Sequence, residues 1–158
     1  MTKLYFSAPL FSEADRMYNE YVYEQIKDSF DEIYIPQKNK AINDKANFAN
    51  SIDIAKADLS EAASSDYMIA LLDGSTVDDG VAAEIGFAYA KGIPVFGLLT
   101  DVRHGGFDDK RKIDILSELG ESQFNYINLF VVGLIKSNGF IVDNISELKE
   151  KMVDFINA

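Results

Sequence analysis

Short apolar runs alternate with longer segments of helical periodicity along the chain, and this alternation constrains the fold most. The runs DYMIALL at residues 66–72 and IPVFGLL at residues 93–99 are almost continuously apolar. Inner strands of this kind are typical of a parallel sheet that is covered by helices on both faces. The sequence therefore predicts an α/β fold.

The same patterns place five strands and five helices along the chain. We expect strands at residues 3–8, 31–35, 66–72, 93–99 and 140–142. We expect helices at residues 12–29, 47–63, 78–91, 124–135 and 146–156, with Ser12 and Ser146 as N-caps of the first and the last. Segments 37–45 and 101–121 are polar and are predicted as loops, the second with a short helix. We predict one domain over residues 1–158, with a flavodoxin-like, doubly wound, five-stranded parallel sheet and helices on both faces.

Composition restricts the partners and the chemistry. The chain has 158 residues and a formal net charge of −11, with no cysteine and one histidine. The acidic charge disfavours nucleic acid, and no apolar run is long enough to span a bilayer. The N-terminus lacks the layout of a signal peptide, so we expect a cytoplasmic protein. We also expect no metal or other cofactor, and a neutral small molecule as the ligand.

Glu84 lies among apolar residues in the segment VDDGVAAEIGFAYAKG, residues 77–92. It either faces solvent on a narrow polar stripe or is held in a pocket. Ligands of such sheets bind beyond the carboxyl ends of the strands, and this helix follows a predicted strand. The positive end of the helix dipole would favour an ionised, nucleophilic carboxylate at Glu84.

Three other carboxylates are candidates for the same pocket. One of Asp78 and Asp79 is expected to be the helix N-cap, and the other is free to bind a ligand hydroxyl. Gly80 would let the backbone approach that ligand closely. Asp58 is either a solvated helix carboxylate or the partner of Glu84, because two converging carboxylates are the usual means of breaking a glycosidic bond.

Tyr5, Ser7 and Asn128 have both structural and functional interpretations. Tyr5 fits a core aromatic residue, and its buried hydroxyl would need a partner such as Glu84. Ser7 is small and could line a pocket, although the chain contains no glycine-rich phosphate loop. Asn128 lies on the predicted helix 124–135, where a surface amide is as good an interpretation as a functional role.

Four segments in order resemble the nucleoside 2-deoxyribosyltransferases. They are LYFSAP near the N-terminus, KADL, DDGVAAEIGFAYAKG and INL. The resemblance extends from residue 3 to about residue 133, and its most specific part is the DDG segment followed by Glu84. It implies exchange of the base on a 2'-deoxynucleoside, so the expected partners are a 2'-deoxynucleoside and a free nucleobase.

The resemblance also implies roles for individual residues. Glu84 would be the nucleophile that forms a covalent deoxyribosyl-enzyme, and Tyr5 would orient it by a hydrogen bond. Asp58 would manage the proton of the base. Asp78, or alternatively Asp79, would hold a sugar hydroxyl.

Two further residues are implied by the resemblance. Phe11 is a candidate for packing near the base. Asn128 matches an asparagine that the family contributes from a neighbouring subunit, which implies a homo-oligomer with shared sites. Typical members end soon after the sheet and bring a terminal carboxylate near the 5' end of the sugar. The segment SELKEKMVDFINA here predicts a closing helix that leads the chain away.

Two other functions compete with this one. A 2'-deoxynucleoside 5'-monophosphate N-glycosidase would use the same carboxylate but bind a 5'-phosphate, for which no motif places an arginine. A non-catalytic nucleotide-binding module would use the same fold without the chemistry. We favour the transferase. Convergence of Glu84, Tyr5 and Asp58 in one pocket distinguishes the enzymes from the binding module.

Overall fold

The five predicted strands form one parallel sheet in a computed structural model. The structure describes residues 1–40, 50–104, 109–116, 118–121 and 127–158. The strands are β1 (Lys3–Ser7), β2 (Glu32–Tyr34), β3 (Tyr67–Leu71), β4 (Val95–Leu98) and β5 (Phe140–Val142), in the order β2-β1-β3-β4-β5. This order confirms the flavodoxin-like, doubly wound fold.

Helices connect successive strands and cover both faces of the sheet. Six are described, namely α1 (Glu13–Ile26), α2 (Ser51–Ala63), α3 (Asp79–Lys91), α4 (Lys110–Ile115), α5 (Leu129–Ser137) and α6 (Ile145–Asn157). Short 3-10 turns lie at Lys27–Ser29, Pro36–Lys38 and Val102–His104. The short helix α4 lies in the polar segment that was predicted as mostly loop.

Helix starts show where local sequence reasoning succeeds and where it fails. The capping box is confirmed, because Ser12 accepts the backbone N–H of Asp15 and the Asp15 carboxylate accepts the N–H of Ser12. The prediction of Ser146 as a cap is wrong. The side chain of Asn144 accepts the N–H of Glu147 at 2.8 Å, so α6 begins at Ile145.

Two more helix starts differ from the predictions. Helix α5 begins at Leu129 instead of residue 124, because the Asn128 side chain accepts the N–H of Phe130 and caps it. Residues 122–126 lie outside the described residues. Helix α2 begins at Ser51 behind the cap Asn50, and the earlier part of the prediction, residues 47–49, also lies outside them.

The two faces of the sheet carry separate apolar cores. The α1/α6 face packs Val22 and Ile26 of α1 and Leu148 and Met152 of α6 against the sheet. The α2/α3/α5 face packs residues of those three helices against the other side, including Ala62, Val81, Ile85, Ala88, Val131 and Ile135. Because strand residues alternate between faces, Tyr5 and Ser7 of β1 point to the second face.

Helix α6 runs back towards the amino edge of the sheet. Phe155, near its end, packs edge-on against Tyr67, the first residue of β3, with ring centroids 6.5 Å apart. The helix therefore leads away from the carboxyl edge, as its sequence predicted. Among the described residues, no helix is both long and apolar enough to cross a membrane.

Candidate active site

A cleft of about 320 Å³ opens at the carboxyl edge of the sheet on the α2/α3/α5 face. This is where a doubly wound parallel sheet is expected to bind its ligand. The described residues that line it come from the loops after β1 and β2, from α2, and from α3 and its N-cap, namely Ala8, Leu10, Phe11, Pro36, Ile54, Asp58, Asp78, Gly80, Val81 and Glu84.

Glu84 points from the second turn of α3 towards the sheet, where β1 holds both of its carboxylate oxygens. The hydroxyl of Tyr5 donates to Oε1 at 2.6 Å. The hydroxyl of Ser7 donates to Oε2. Tyr5 and Ser7 reach the same carboxylate because residues two apart on a strand share a face. The solvent-stripe interpretation of Glu84 is therefore wrong.

Burial is the main influence on the protonation of Glu84, and it raises the pKa of this carboxyl. Hydrogen bonds from Ser7 and Tyr5 act in the opposite direction, while the charges of Asp58 and Asp78 raise the pKa further. We expected the helix dipole to favour the ionised form. The helix dipole is strongest in the first turn, and Glu84 lies in the second turn of α3. Desolvation therefore outweighs the effect of the dipole on the pKa of Glu84.

Asp58 lies on the α2 side of the same cleft and is half-buried. The hydroxyl of Tyr34 donates to its Oδ1 at 3.0 Å. Burial raises the pKa of Asp58, although the hydrogen bond from Tyr34 opposes that rise. Glu84 and Asp58 thus line one cleft from different helices, as expected for a pair of carboxylates that work together.

Tyr34 was not predicted as a site residue. The expected flavodoxin-like strand order could have indicated it, since that order pairs β2 with β1, and the observed register sets Tyr34 directly beside Tyr5. The two rings are stacked, with centroids 5.5 Å apart. Leu10, Pro36 and Ile54 were also not predicted as cleft residues.

The structure separates Asp78 from Asp79. Asp78 is the N-cap of α3, and its Oδ1 accepts the N–H of Gly80 at 2.9 Å and of Val81 at 3.2 Å. Asp78 and Gly80 both line the cleft. A Cβ at position 80 would lie 3.1 Å from Oδ1 of Asp78, so any larger residue would crowd the carboxylate that caps the helix. Asp79 is exposed and lines a neighbouring cavity instead.

Three other predicted residues have distinct positions. Phe11 lines the cleft with 80% of its surface exposed. Ser7 does not line it, because its side chain is fully buried behind Glu84, which corrects the expectation of a pocket-lining serine. Asn128 lies with Asp79 on the neighbouring cavity of about 340 Å³ and does not line the main cleft of its own chain.

Comparisons with solved structures agree with this architecture. A conserved protein from Enterococcus faecalis is 52% identical, with a TM-score of 0.92 over 98% of each chain. A 2-deoxyribosyltransferase from Bacillus psychrosaccharolyticus is 19% identical, with a TM-score of 0.64 over 94% of this chain and 90% of the other. A CMP N-glycosidase from Clostridium botulinum is 18% identical, with a TM-score of 0.53 over 98% and 99%.

Sequence comparison decides the family. No curated protein matches the chain significantly. The family described as nucleoside 2-deoxyribosyltransferase matches residues 4–147, which include the cleft carboxylates and all of the sheet except Lys3. The chain therefore belongs to the nucleoside 2-deoxyribosyltransferase family.

Proposed function

We propose that the protein transfers the 2-deoxyribosyl group between nucleobases through a covalent intermediate on Glu84. The observation that carries this proposal is the fixation of both Glu84 oxygens by Tyr5 and Ser7 at a cleft that also holds Asp58. A carboxylate held in this way keeps its orientation before the substrate binds, which is what a nucleophile in a displacement needs.

The exchange takes place in two steps. In the first, a Glu84 oxygen bonds to the anomeric carbon of the sugar while the bond from that carbon to the base nitrogen breaks. The electron pair of that bond leaves with the base, and Asp58 supplies the proton that neutralises it. In the second, Asp58 takes a proton from the incoming base, whose nitrogen displaces Glu84 from the sugar.

The electrostatics of the cleft suit a neutral substrate better than a phosphorylated one. Three carboxylates line it, namely Asp58, Asp78 and Glu84, and no lysine or arginine is among the described lining residues. A 5'-phosphate brought to this cleft would meet these like charges, and none of the described lining residues would supply a compensating cation. We therefore favour a 2'-deoxynucleoside over the 5'-monophosphate that the competing hydrolase would bind.

The remaining walls of the cleft favour a base over water as the acceptor. Phe11, Ile54 and Val81 present apolar surface to it. An aromatic or aliphatic wall can pack against the face of a nucleobase, and a packed base leaves less room for an attacking water.

We also propose that the protein forms a homo-oligomer in which Asn128 of one subunit completes the active site of another. Asn128 does not reach the cleft of its own chain. It is followed by Leu129 and Phe130, which are 79% and 74% exposed. Neighbouring large apolar residues with this exposure suit a surface that another subunit covers.

Base exchange followed by chromatography tests this function. Incubation with deoxyinosine should yield deoxyadenosine when adenine is added, and little free hypoxanthine without an acceptor. Glu84→Ala should abolish the exchange, whereas the exposed Glu150→Ala should leave it unchanged. Equal release of hypoxanthine with and without adenine would overturn the transferase, and release of base from deoxynucleoside 5'-monophosphates would then identify the hydrolase.

A further inference from the structure

Tyr34 lies at the centre of a directed chain of hydrogen bonds that ends on Asp58. The side-chain amide of Asn39 donates to the Tyr34 hydroxyl at 2.9 Å, and that hydroxyl donates to Asp58 Oδ1 at 3.0 Å. An amide N–H can only donate, so it occupies a lone pair of the phenolic oxygen. The one hydroxyl proton of Tyr34 is therefore directed to Asp58.

The ring of Tyr34 is fixed independently of its hydroxyl. It stacks on the ring of Tyr5 at an interplanar angle of 28°, and the two residues are direct neighbours in the parallel pairing of β1 and β2. Tyr5 directs its own hydroxyl to Glu84. One stacked pair of tyrosines thus holds two of the three carboxylates of the cleft, Glu84 and Asp58, with one hydroxyl for each.

The two oxygens of Asp58 are consequently not equivalent. Oδ1 accepts the hydroxyl of Tyr34, and no hydrogen bond from the described residues reaches Oδ2. A protonated carboxyl group has one hydroxyl oxygen and one carbonyl oxygen. Since Oδ1 already accepts the hydrogen bond from Tyr34, the proton of the acid belongs on Oδ2.

We infer that Tyr34 is a positioning residue that keeps the transferable proton of Asp58 on Oδ2, ready for the departing base. This inference rests on the proposed function, because it assigns Tyr34 a part in the proton transfer there. It also gives Asn39 a part, since the amide orients the hydroxyl that orients the acid. Tyr34 itself makes no bond to the reacting atoms.

Tyr34→Phe tests the inference because it removes the hydroxyl and keeps the stacked ring. Single-turnover release of hypoxanthine from deoxyinosine, whose base leaves with a proton, should slow roughly ten-fold. Single-turnover release of the base from 7-methyl-2'-deoxyguanosine, whose cationic base leaves without a proton from Asp58, should keep its wild-type rate. Tyr67→Phe is the matched control, since it removes a tyrosine hydroxyl from the opposite face of the sheet and should change neither rate.

Equal slowing of both donors would overturn the inference, because it would show a general structural defect. The pH profile adds a second readout. The hydrogen bond from Tyr34 lowers the pKa of Asp58, so its loss should raise that pKa and move the alkaline limb of the deoxyinosine rate to higher pH. An unmoved limb would contradict the assignment.

A titration that needs no turnover separates this inference from the proposed function. Carbon-13 NMR of the Asp58 carboxyl, identified by its loss in Asp58→Asn, should show a higher pKa in Tyr34→Phe than in the wild type. An unchanged titration overturns the inference whatever the activity. A shifted titration in a protein that exchanges no base supports the hydrogen bond to Asp58 and overturns the proposed function.

Discussion

Stacked aromatic rings occur on both faces of the sheet, in a hydrophobic core on one face and beside the carboxylates of the cleft on the other. On the α1/α6 face, Phe96 stacks on Tyr67 and Phe140 at 5.6 and 4.7 Å and meets Phe155 edge-on at 5.3 Å. On the α2/α3/α5 face, Tyr5 stacks on Tyr34 at 5.5 Å, and each of their hydroxyls meets a carboxylate of the cleft.

The comparison shows how one packing device serves two purposes. Stacked rings bury a large apolar area in a fixed geometry, and this stabilises either face. On the α2/α3/α5 face the stacked rings also fix the positions of polar groups, because each tyrosine hydroxyl is attached to the edge of a fixed ring. The α1/α6 face should therefore control stability, and the Tyr5–Tyr34 pair should control reactivity.

Glu84→Gln should have the largest effect on reactivity. It removes the nucleophile while keeping the size of the side chain, so base exchange should fall by a factor on the order of 10⁴ or more. The measurement is the rate of deoxyadenosine formation from deoxyinosine and adenine. Exchange within ten-fold of the wild type would show that another group attacks the sugar.

The same variant should melt at a higher temperature than the wild type at pH 7. Burial raises the pKa of Glu84, so its contribution to folding is fully present below the pKa of the unfolded chain and is lost as the pH rises through the folded value. Thermal melts should therefore show an advantage of Glu84→Gln that grows from pH 4 to pH 7. A constant difference would contradict the burial argument.

Asp58→Asn should slow exchange from deoxyinosine by about 10²–10⁴-fold, the usual contribution of a general acid. The charge of Asp58 raises the pKa of Glu84, so its removal should also move the acid limb of the rate to lower pH. Rates measured across a pH series provide both tests. Asp53→Asn, at an exposed position on the same helix, is the control and should retain the wild-type profile.

Phe96→Ala tests the contribution of the α1/α6 face to stability. Phe96 is fully buried in the aromatic cluster, and loss of its ring should destabilise the protein by about 3–5 kcal/mol. Urea unfolding measures this change. KM and kcat per folded molecule should stay near the wild-type values. A large change in kcat of the folded variant would contradict the assignment of stability to the α1/α6 face and of reactivity to the Tyr5–Tyr34 pair.

Tyr5→Phe should have a smaller effect than the loss of either carboxylate. A hydrogen bond to a charged group contributes about 1.5–3 kcal/mol, which corresponds to roughly a 10- to 150-fold loss of rate. Because this hydrogen bond lowers the pKa of Glu84, its removal should move the acid limb to higher pH. A limb that stays in place, or moves down, would show that Tyr5 does not stabilise the ionised carboxylate.

The strands and the link from Tyr5 to Glu84 could be predicted because each depends on a strong local signal, and the strand order followed from the alternation of strands and helices along the chain. Continuous apolar runs identify buried parallel strands. A tyrosine hydroxyl on a buried strand needs a partner, and the one carboxylate amid apolar residues on a following helix is suited to be that partner. The capping box at Ser12 is likewise a local pattern.

The features that were missed depend on how separate segments align in space. Tyr34 joins the site through the register of β2 against β1, which sets it beside Tyr5, and no local pattern states that register. Ser7 was expected at the pocket surface, but the position of α3 over β1 buries it behind Glu84. The caps Asn128 and Asn144 were missed because residues of good helix periodicity precede or follow them closely.

The most direct test of the account is to trap the sugar on the enzyme. A 2'-fluoro-substituted deoxynucleoside slows formation and breakdown of an oxocarbenium-like transition state, so the intermediate should accumulate. Intact-protein mass spectrometry with peptide mapping should show one added fluorinated sugar, attached to Glu84 and released by free adenine. An adduct on another residue would contradict the central claim, as would turnover of this analogue by an enzyme that never gains the mass of the sugar.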